Sequence, residues 1–395
     1  MDRIVVTGIG AISAIGNTVA ENRASLIKGK CGIGRLENFP SKFADLIPVG
    51  EIKISTETLK EKSDAYDRGI TRTTLLALQA MEEALTDSCL TPAVVSSFDT
   101  ALISANTVGG MCLTDEMYRD SQKDTPGSEY LSSYDCGSVN MYLQKRYAMK
   151  GPVNTINTAC SSSANAIMYG ARLIRNGKAR KAIVGGVDCL AKFTINGFNA
   201  LHILSKEACT PFDEDRKGLN LGEGAAFLVL EKEADVAGKK IYALLSGYGN
   251  ANDSFHASSL SDDGTGPYKA MKEALRSAKL YPSQIDFINA HGTATENNDL
   301  VECIAMQHLF EKVPAFASTK ANTGHTLGAA GALEALYCIL NLTEQELYPA
   351  IHFNKPLPVP GLIPVKSYQR TVLNNIMSNS FGFGGNCTSL IFSKT

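Results

Sequence analysis

The chain has 395 residues, of which 44% are hydrophobic and 20% are charged, and its formal net charge is −2 at pH 7. This composition is typical of a globular protein and excludes a disordered chain, and the length favours two packed halves. The balanced charge gives no electrostatic footprint for nucleic acid, so nucleic-acid binding is not expected.

The cysteines and the N-terminal sequence indicate the cellular compartment. The ten cysteines are spread from Cys31 to Cys387 without a CxxC pair or metal-like spacing, which indicates reduced, mostly buried thiols. The N-terminus lacks the basic flank and apolar run of a signal peptide, and no stretch approaches the roughly 20 apolar residues of a membrane helix. We therefore expect a soluble, cytoplasmic protein without a membrane span.

Short β-branched runs alternate with longer helical patterns, which is typical of α/β folds with buried strands. The charged stretch 231–240 is the predicted linker between two halves. Residues 114–137 are predicted to form a surface excursion, either an ordinary loop or a lid. The predicted strands are residues 4–7, 100–104, 181–187, 226–230, 241–247, 286–290 and 388–392.

Two predicted strands are each followed by glycines, at residues 4–10 and 243–249. They suggest two structurally related halves, with domains at residues 1–240 and 241–395. Gly8 and Gly10 also resemble the start of a dinucleotide fingerprint, but Ser13 replaces its third glycine. A nicotinamide site is therefore not expected.

Residues 153–164 begin as a strand and turn into a helix, and Cys160 lies at the change. The free N–H groups of the first helical turn and the helix dipole are expected to favour a thiolate there. Backbone N–H groups of Cys160 and of Phe383, in the glycine-lined run 381–385, could form an oxyanion hole. Taken alone, a cysteine before a helix is more often a small core residue.

Two of the six histidines lie in glycine-rich turns. His291 directly follows a predicted strand, and His325 lies in the glycine-rich segment 318–331. Two neutral imidazoles that donate from Nε2 would stabilise the enolate left when a β-carboxy thioester loses carbon dioxide. Lys320 could hold a local positive potential, and Glu334 could offset it. Each histidine alone could equally be a satisfied structural residue.

Together these residues resemble the β-ketoacyl-acyl carrier protein synthases of the elongating type, in particular the second synthase of bacterial fatty acid synthesis. The resemblance spans nearly the whole chain. Its motifs lie at residues 5–10, 158–162, 211–213 with 222–225, 290–293, 320–331 and 379–385.

The resemblance implies a thiolase-like fold of five layers, αβαβα, built from two similar halves and usually homodimeric. It implies that Cys160 accepts the acyl chain and that His291 and His325, supported by Lys320 and Glu334, decarboxylate a malonyl thioester. The implied partner is acyl carrier protein, whose phosphopantetheine arm brings acyl and malonyl thioesters, and no permanent cofactor or catalytic metal is implied. The implied substrate-binding residues are Thr293, Thr295, Phe381, Phe383 and Val108.

Four further positions match residues that hold a structural monovalent cation in some members of the family. They are Asn289, Glu334, Ser378 and Asn379.

The sequence also departs from the family pattern. After Thr295 the family usually has a Pro and then a Gly-Asp or Asn-Asp pair, whereas this chain has Glu296-Asn-Asn-Asp299. Gly385-Asn-Cys387 stands where Gly-Thr-Asn is usual, and Lys217 stands where Asp is usual. These departures resemble synthases of aryl polyene or related polyketide-type pathways, which leaves the pathway open.

A thiolase and a non-catalytic partner subunit also share parts of this pattern. A thiolase would need a second catalytic cysteine, for which Cys387 is the candidate. A partner subunit that sets chain length would lack the nucleophile, which Cys160 argues against. A heterodimer in which this chain is the active half is also compatible with the sequence.

Overall fold

The computed structural model describes residues 3–123, 127–236 and 238–395. The strands of this part of the chain are β1 (Ile4–Ser13), β2 (Ile33–Gly34), β3 (Val49–Gly50), β4 (Thr100–Ala105), β5 (Val153–Ile156), β6 (Lys181–Asp188), β7 (Gly224–Lys232), β8 (Ala243–Asn252), β9 (Phe287–Asn289), β10 (Ala315–Ala317), β11 (Glu346–Leu347), β12 (Gln369–Arg370), β13 (Asn375–Phe381) and β14 (Asn386–Ser393).

The α-helices of the same described residues are α1 (Val19–Ile27), α2 (Thr56–Ser63), α3 (Arg72–Asp87), α4 (Pro92–Val95), α5 (Thr114–Ser121), α6 (Ser138–Arg146), α7 (Ser162–Arg175), α8 (Lys192–Ala200), α9 (Thr265–Ala278), α10 (Glu296–Leu309), α11 (Lys320–Thr323) and α12 (Ala330–Glu344).

The main sheet consists of two groups of five strands with the same topology. The order is β5-β4-β6-β7-β1 in one group and β10-β9-β13-β14-β8 in the other. In each group the first strand along the chain pairs antiparallel with the last, the last pairs antiparallel with the fourth, and the other pairings are parallel. The groups meet where Val5 and Val6 of β1 pair with Leu244 and Ala243 of β8.

The helices complete a layered arrangement. Helices α7 and α12 pack against each other and against strands of both groups, while α3 and α9 cover the outer faces around β1 and β8. Every residue of α12 from Ala330 to Leu342 is buried, which places this helix in the central layer. The predicted α/β fold of five layers with two similar halves is confirmed; the boundary between residues 240 and 241 stays a prediction.

Glycines in β1 and β8 allow a helix to pack closely on each half of the sheet. A Cβ at Gly10 of β1 would come within 2.1 Å of the Ala80 carbonyl oxygen of α3, and a Cβ at Gly249 of β8 would come within 2.2 Å of the Ala270 oxygen of α9. Gly8 is in the same position against α3. The glycines that resemble a dinucleotide fingerprint thus allow a helix to lie directly on a strand.

The predicted strands are present, and most are longer than predicted. Strands β10 and β13 were not predicted, because β10 has three residues and β13 is rich in Asn and Ser. The linker prediction is wrong at its start, since Glu231 and Lys232 belong to β7. Glu231 is buried and accepts hydrogen bonds from Thr7 and Lys239.

The excursion predicted at residues 114–137 contains α5 and a 3-10 turn at Leu131–Ser133, and its residues 124–126 lie outside the described part. Among the described residues, no helix is long and apolar enough to cross a bilayer. All ten cysteines are free thiols.

We predict that Gly10→Ala lowers the free energy of unfolding by about 1–3 kcal/mol, because the new methyl group would overlap the backbone of α3. Chemical denaturation followed by circular dichroism measures the change. Gly197→Ala in α8 is the matched control, since nothing lies within 4 Å of a Cβ there. Equal stabilities of the two variants would contradict the packing role of Gly10.

Candidate active site

The nucleophile candidate lies in a tight turn between a strand and a helix. Strand β5 ends at Ile156 and α7 begins at Ser162, so Cys160 falls in the connection, as predicted. Ala159 before it has a φ of 54°, in the left-handed region that costs a non-glycine residue energy. Cys160 is 6% exposed. The turn thus holds the thiol at the wall of a cavity.

Burial of Cys160 disfavours ionisation of its thiol in the resting protein. Burial raises the pKa of Cys160 to about 11, while the Lys320 charge and the backbone N–H groups of Phe383 and Cys160 oppose this rise. The expectation that the helix start favours a thiolate is therefore wrong for the resting state, because loss of solvation outweighs the nearby donors. The two N–H groups nonetheless face the sulfur, where an oxyanion hole requires them.

His325 is held as a single tautomer. Its Nδ1 accepts a hydrogen bond from the Leu327 backbone N–H at 3.3 Å, so the proton of the neutral ring lies on Nε2. The ring is 1% exposed, and its Nε2 has no hydrogen-bond partner among the described residues. Its backbone N–H donates to the Asn220 carbonyl oxygen at 2.7 Å. His325 therefore has a buried donor without a partner at the lining of the cavity.

His291 is placed by the end of β9 and by a buried carboxylate. Glu302 of α10 accepts hydrogen bonds from the backbone N–H groups of His291 and Gly292, both at 2.9 Å, and from the Asn379 amide at 3.1 Å. Burial raises the pKa of Glu302 to about 7, and these three donors oppose the rise. The turn that carries His291 is therefore fixed to α10.

Lys320 connects His291 to Glu334. Its Nζ donates to the His291 carbonyl oxygen at 2.5 Å and to Glu334 Oε1, and it lies 3.3 Å from His291 Nδ1. The three protons of an ammonium group match these three acceptors. With Nδ1 accepting, the proton of neutral His291 lies on Nε2. Burial raises the pKa of Glu334 to about 7, against the opposing effect of Lys320.

The three groups converge. The ligand-type atoms of Cys160, His291 and His325 lie within 4.8 Å of one another, and all three side chains are buried. The two imidazole centroids are 5.4 Å apart with their planes at 86°. Burial and the Lys320 charge lower the pKa of both histidines well below the usual value. Two neutral N–H donors therefore face one thiol.

The same three side chains have a spacing that could hold a metal ion, but their tautomers do not fit one. A metal-bound imidazole nitrogen needs its lone pair, and the second ring nitrogen then donates its proton to an acceptor. Here the partners of the two Nδ1 atoms, Leu327 N–H and Lys320 Nζ, are themselves donors. The surroundings of the rings favour Nε2–H groups over metal ligation.

A second group of oxygens fits a monovalent cation better. Asn289 Oδ1, Ser378 Oγ and Glu334 Oε2 are buried and have no hydrogen-bond partner among the described residues. Asn289 and Ser378 are register partners on β9 and β13. The Asn379 side chain does not fit, because its amide donates to Glu302 and its oxygen accepts from Ser389. Three of the four positions implied by resemblance are thus available as hard oxygen ligands.

The thiol and both imidazoles open into a cavity of about 440 Å³. Thr293, Thr295, Phe381 and Phe383 line it, and the two threonine hydroxyls are 2.9 Å apart. Phe383 stacks on Phe198 of α8 with ring centroids 5.7 Å apart.

Val108, another predicted substrate contact, is not part of this lining over the described residues. It is buried with Leu190, Ile195 and Leu327 behind the wall.

Several residues of the site were not predicted. Phe198, Asn297 and Asn298 line the cavity, and Glu302 fixes His291. Only Asn297 and Asn298 carried a signal, as part of the unusual run after Thr295. Cys387 lies on β14, fully buried and in register with Phe381, and it is absent from the described cavity lining.

Two family models match the chain. The model described as beta-ketoacyl synthase, N-terminal domain, matches residues 1–236, and the model described as beta-ketoacyl synthase, C-terminal domain, matches residues 242–354. The chain is 33% identical over 415 residues to 3-oxoacyl-(acyl-carrier-protein) synthase 2 of Vibrio cholerae, which covers 99% of both chains.

Solved structures named as ketosynthases have similar folds. The ishigamide ketosynthase/chain length factor matches with a TM-score of 0.92 and 27% identity, covering 100% of this chain and 99% of the other. A type II PKS ketosynthase, in complex with its acyl-carrier protein and bound to the hexaketide, matches with a TM-score of 0.89 and 27% identity, covering 100% of both chains.

We predict that alkylation of Cys160 by iodoacetamide becomes about ten-fold faster per pH unit between pH 7 and pH 10, because only the thiolate reacts and the pKa of the thiol is raised to about 11. Lys320→Met should slow the reaction at pH 8 by about ten-fold, because the Lys320 charge lowers this pKa. Mass spectrometry of the Cys160 peptide measures both rates.

The control is Lys217→Met, which removes an exposed lysine from the cavity lining and should leave the rate nearly unchanged. A plateau of the wild-type rate below pH 9 would contradict the raised pKa.

Proposed function

The chain belongs to the β-ketoacyl synthase family of acyltransferases, and from this premise we propose that it is a 3-oxoacyl-acyl carrier protein synthase of fatty acid biosynthesis. The proposed reaction condenses an acyl chain on Cys160 with malonyl-acyl carrier protein. Its products are 3-oxoacyl-acyl carrier protein and carbon dioxide. The observation that carries the proposal is the convergence of one thiol and one ring nitrogen from each of two neutral imidazoles within 4.8 Å.

The first step is transfer of the acyl group to Cys160. The sulfur attacks the thioester carbonyl carbon of the acyl-carrier arm, and the N–H groups of Cys160 and Phe383 hold the developing oxyanion. When the tetrahedral intermediate collapses, the new sulfur–carbon bond remains and the pantetheine thiol leaves with the proton from Cys160. Because the thiolate is the attacking form, Cys160 loses its proton as the attack begins. The departing pantetheine sulfur takes up a proton when the intermediate collapses, so the exchange consumes no net proton.

The second step uses the two imidazoles. A malonyl thioester whose carbonyl oxygen lies between the Nε2–H groups of His291 and His325 loses carbon dioxide, and the electron pair of the broken carbon–carbon bond forms an enolate. The α-carbon attacks the acyl carbonyl on Cys160, and the sulfur–carbon bond breaks. The product is the 3-oxoacyl thioester, and the Cys160 thiolate that departs takes up one proton from water.

Lys320 has a supporting role in this proposal. Because its ammonium donates to His291 Nδ1, it keeps the His291 proton on Nε2 and prevents the ring from becoming imidazolium. Glu334 accepts from the same ammonium and offsets its charge in the buried site. The lysine thus sets the proton position without taking part in bond formation.

The cavity lining supports a carrier-bound substrate. The Thr293 and Thr295 hydroxyls lie on the path to the thiol and suit the amide groups of a phosphopantetheine arm. Phe381 lies 5.7 Å from the His291 ring, and Phe383 stacks on α8. We propose Phe383 as the gate residue. Val108 is a proposed limit of the acyl pocket behind the cavity wall.

The thiolase alternative loses its support at Cys387. This thiol is fully buried on β14, packs with Leu260, Ala270, Val301 and Phe381, and is not itself part of the described cavity lining. Burial raises its pKa far above the ordinary value, so it is unsuited to acid–base catalysis. The complete set of Cys160, His291 and His325 likewise disfavours a purely structural partner subunit.

A polyketide-type pathway is the second candidate. One of the similar solved structures is by name a type II PKS ketosynthase bound to a hexaketide, and another is named as a ketosynthase/chain length factor. Asn297 and Asn298, which depart from the elongating pattern, make the cavity wall more polar. Mass spectrometry of Cys160 after incubation with saturated and polyunsaturated acyl-carrier proteins separates the two pathways by the preferred cargo.

The proposed assembly is a homodimer that uses the edge of the main sheet. Strand β5 has no neighbour on its outer side among the described residues. Met141 of α6, beside it, is 69% exposed, and Leu131 is 69% exposed. Unpaired strand edges with exposed apolar side chains favour pairing with another chain. A chain-length subunit on the same edge is the heterodimer alternative. A cytoplasmic location stays a prediction.

We predict that Cys160→Ala loses acyl uptake from acyl-carrier protein but still releases carbon dioxide from malonyl-carrier protein, because both imidazoles remain. His325→Ala should lower carbon dioxide release by about 100- to 1000-fold, the usual loss for one oxyanion donor. Mass spectrometry and labelled carbon dioxide measure the two half-reactions.

Cys387→Ala is the matched control for these half-reactions and should leave both nearly unchanged, whereas a thiolase would lose activity. Undiminished acyl uptake by Cys160→Ala would refute Cys160 as the nucleophile. Wild-type protein that releases no carbon dioxide would refute the decarboxylative reaction.

We predict that Met141→Glu raises the dissociation constant of the dimer by about ten-fold or more, because a charge would be buried at the paired edge. Sedimentation velocity over a concentration series measures it. Tyr281→Glu, at a side chain that is 77% exposed and remote from β5, is the control. Equal dimer stability of the two variants would place the interface elsewhere.

A further inference from the structure

A buried carboxylate with no part in the proposed chemistry connects two segments of the site. Asp188 is the last residue of β6 and is fully buried. Its Oδ1 accepts from the backbone N–H groups of Thr107 at 3.1 Å and Val108 at 3.0 Å, and its Oδ2 accepts from that of Gly328 at 2.7 Å. The side chains of Asn106 and Thr107 also donate to it.

The first of these segments carries the acyl-pocket candidate. Residues 106–108 directly follow β4, and Val108 packs against Leu190, Ile195 and Leu327. The two N–H groups that donate to Asp188 here belong to the peptides that flank Thr107. The carboxylate therefore fixes the backbone that carries Val108.

The second segment sets the tautomer of His325. The Gly328 N–H follows Leu327, whose own N–H donates to His325 Nδ1. Leu327 has a φ of 51°, a strained conformation that persists only where neighbouring contacts hold it. Gly328 must be glycine for this approach, because a Cβ there would lie 2.7 Å from Asp188 Oδ2. Asp188 is one of the contacts that hold the strained turn.

The carboxylate has no basic partner among the side chains that bond to it. A buried charge without a counter-ion costs several kcal/mol unless several donors compensate it. Burial raises the pKa of Asp188 to about 6, and the Thr107, Val108 and Gly328 donors oppose the rise. A fully apolar contact of the same shape would not incur this cost. The Asp188 carboxylate lies where it hydrogen-bonds to both segments, residues 106–108 and Gly328.

We propose that Asp188 is a positioning residue that fixes the direction of the His325 Nε2–H and the depth of the acyl pocket at Val108. This rests on the proposed condensation, in which His325 acts on the malonyl thioester and Val108 limits the acyl chain. Asp188 touches neither substrate. It acts through the two backbone segments.

The test compares the two half-reactions in Asp188→Asn. In the asparagine an NH2 group replaces one of the two carboxylate oxygens. This donor must face another donor, either the Gly328 N–H or the N–H groups of residues 107 and 108. Uptake of a short acyl group by Cys160 should stay within about two-fold. Carbon dioxide release should fall about ten- to one hundred-fold, or the longest accepted acyl chain should change, depending on which segment is released.

The control is Asp213→Asn, which alters another buried carboxylate that accepts backbone N–H groups, from Asn354 and Lys355, outside the cavity. It should leave the ratio of the two half-reactions unchanged. Thr107→Val, which removes one donor and keeps the carboxylate, is the second variant if Asp188→Asn fails to fold. It should change the acyl-chain profile without changing short-chain uptake.

A proportional fall of both half-reactions with an unchanged chain profile, or no change at all, would overturn the positioning role. Wild-type protein without carbon dioxide release would instead refute the proposed function itself, so the two failures are distinguishable.

Discussion

The arrangement of the site depends on the three hydrogen bonds of one buried lysine. Lys320 is 2% exposed, and its acceptors are the His291 carbonyl oxygen, His291 Nδ1 and Glu334. A buried ammonium is stable only when its donors are satisfied and its charge is balanced, and these acceptors do both. The consequence is chemical. With Nδ1 occupied, His291 presents an N–H to the cavity, which suits an oxyanion and opposes a metal ion.

The duplicated topology explains how distant segments reach one cavity. The two five-stranded groups place Cys160 after β5 and His325 after β10, which occupy corresponding positions in the two halves. His291 follows β9, which is the neighbour of β10 in the sheet. The central helix α12 begins at Ala330, just after His325, and packs on α7, which begins just after Cys160. The close approach of Gly331 to Ala164, with a Cβ there only 2.8 Å from the Ala164 nitrogen, brings the two helix starts together. Gly331 therefore allows the helices that follow Cys160 and His325 to approach each other closely.

Much of the fold was predictable because buried strands give continuous β-branched runs, and strand ends next to glycines indicated where the polar groups lie. Strand β13 was not predictable, since its buried Asn379 and Ser380 give it a polar sequence. The burial of Asn379 depends on tertiary hydrogen-bond partners such as Glu302. The ionisation of Cys160 was mispredicted for a related reason. The local sequence indicates a helix start, whereas the pKa is set mainly by burial, which depends on the whole fold.

The raised pKa of the nucleophile has a use in a two-step reaction. A resting thiolate would react with oxidants and alkylating agents between turnovers. A neutral thiol avoids these reactions. Transfer from one thioester to another consumes no net proton, because the proton lost by Cys160 ends on the leaving thiol. The donors that then matter are Cys160 N–H and Phe383 N–H, because they stabilise charge that appears only as the oxyanion forms. Burial therefore protects the sulfur at rest, while fixed backbone dipoles stabilise the transition state.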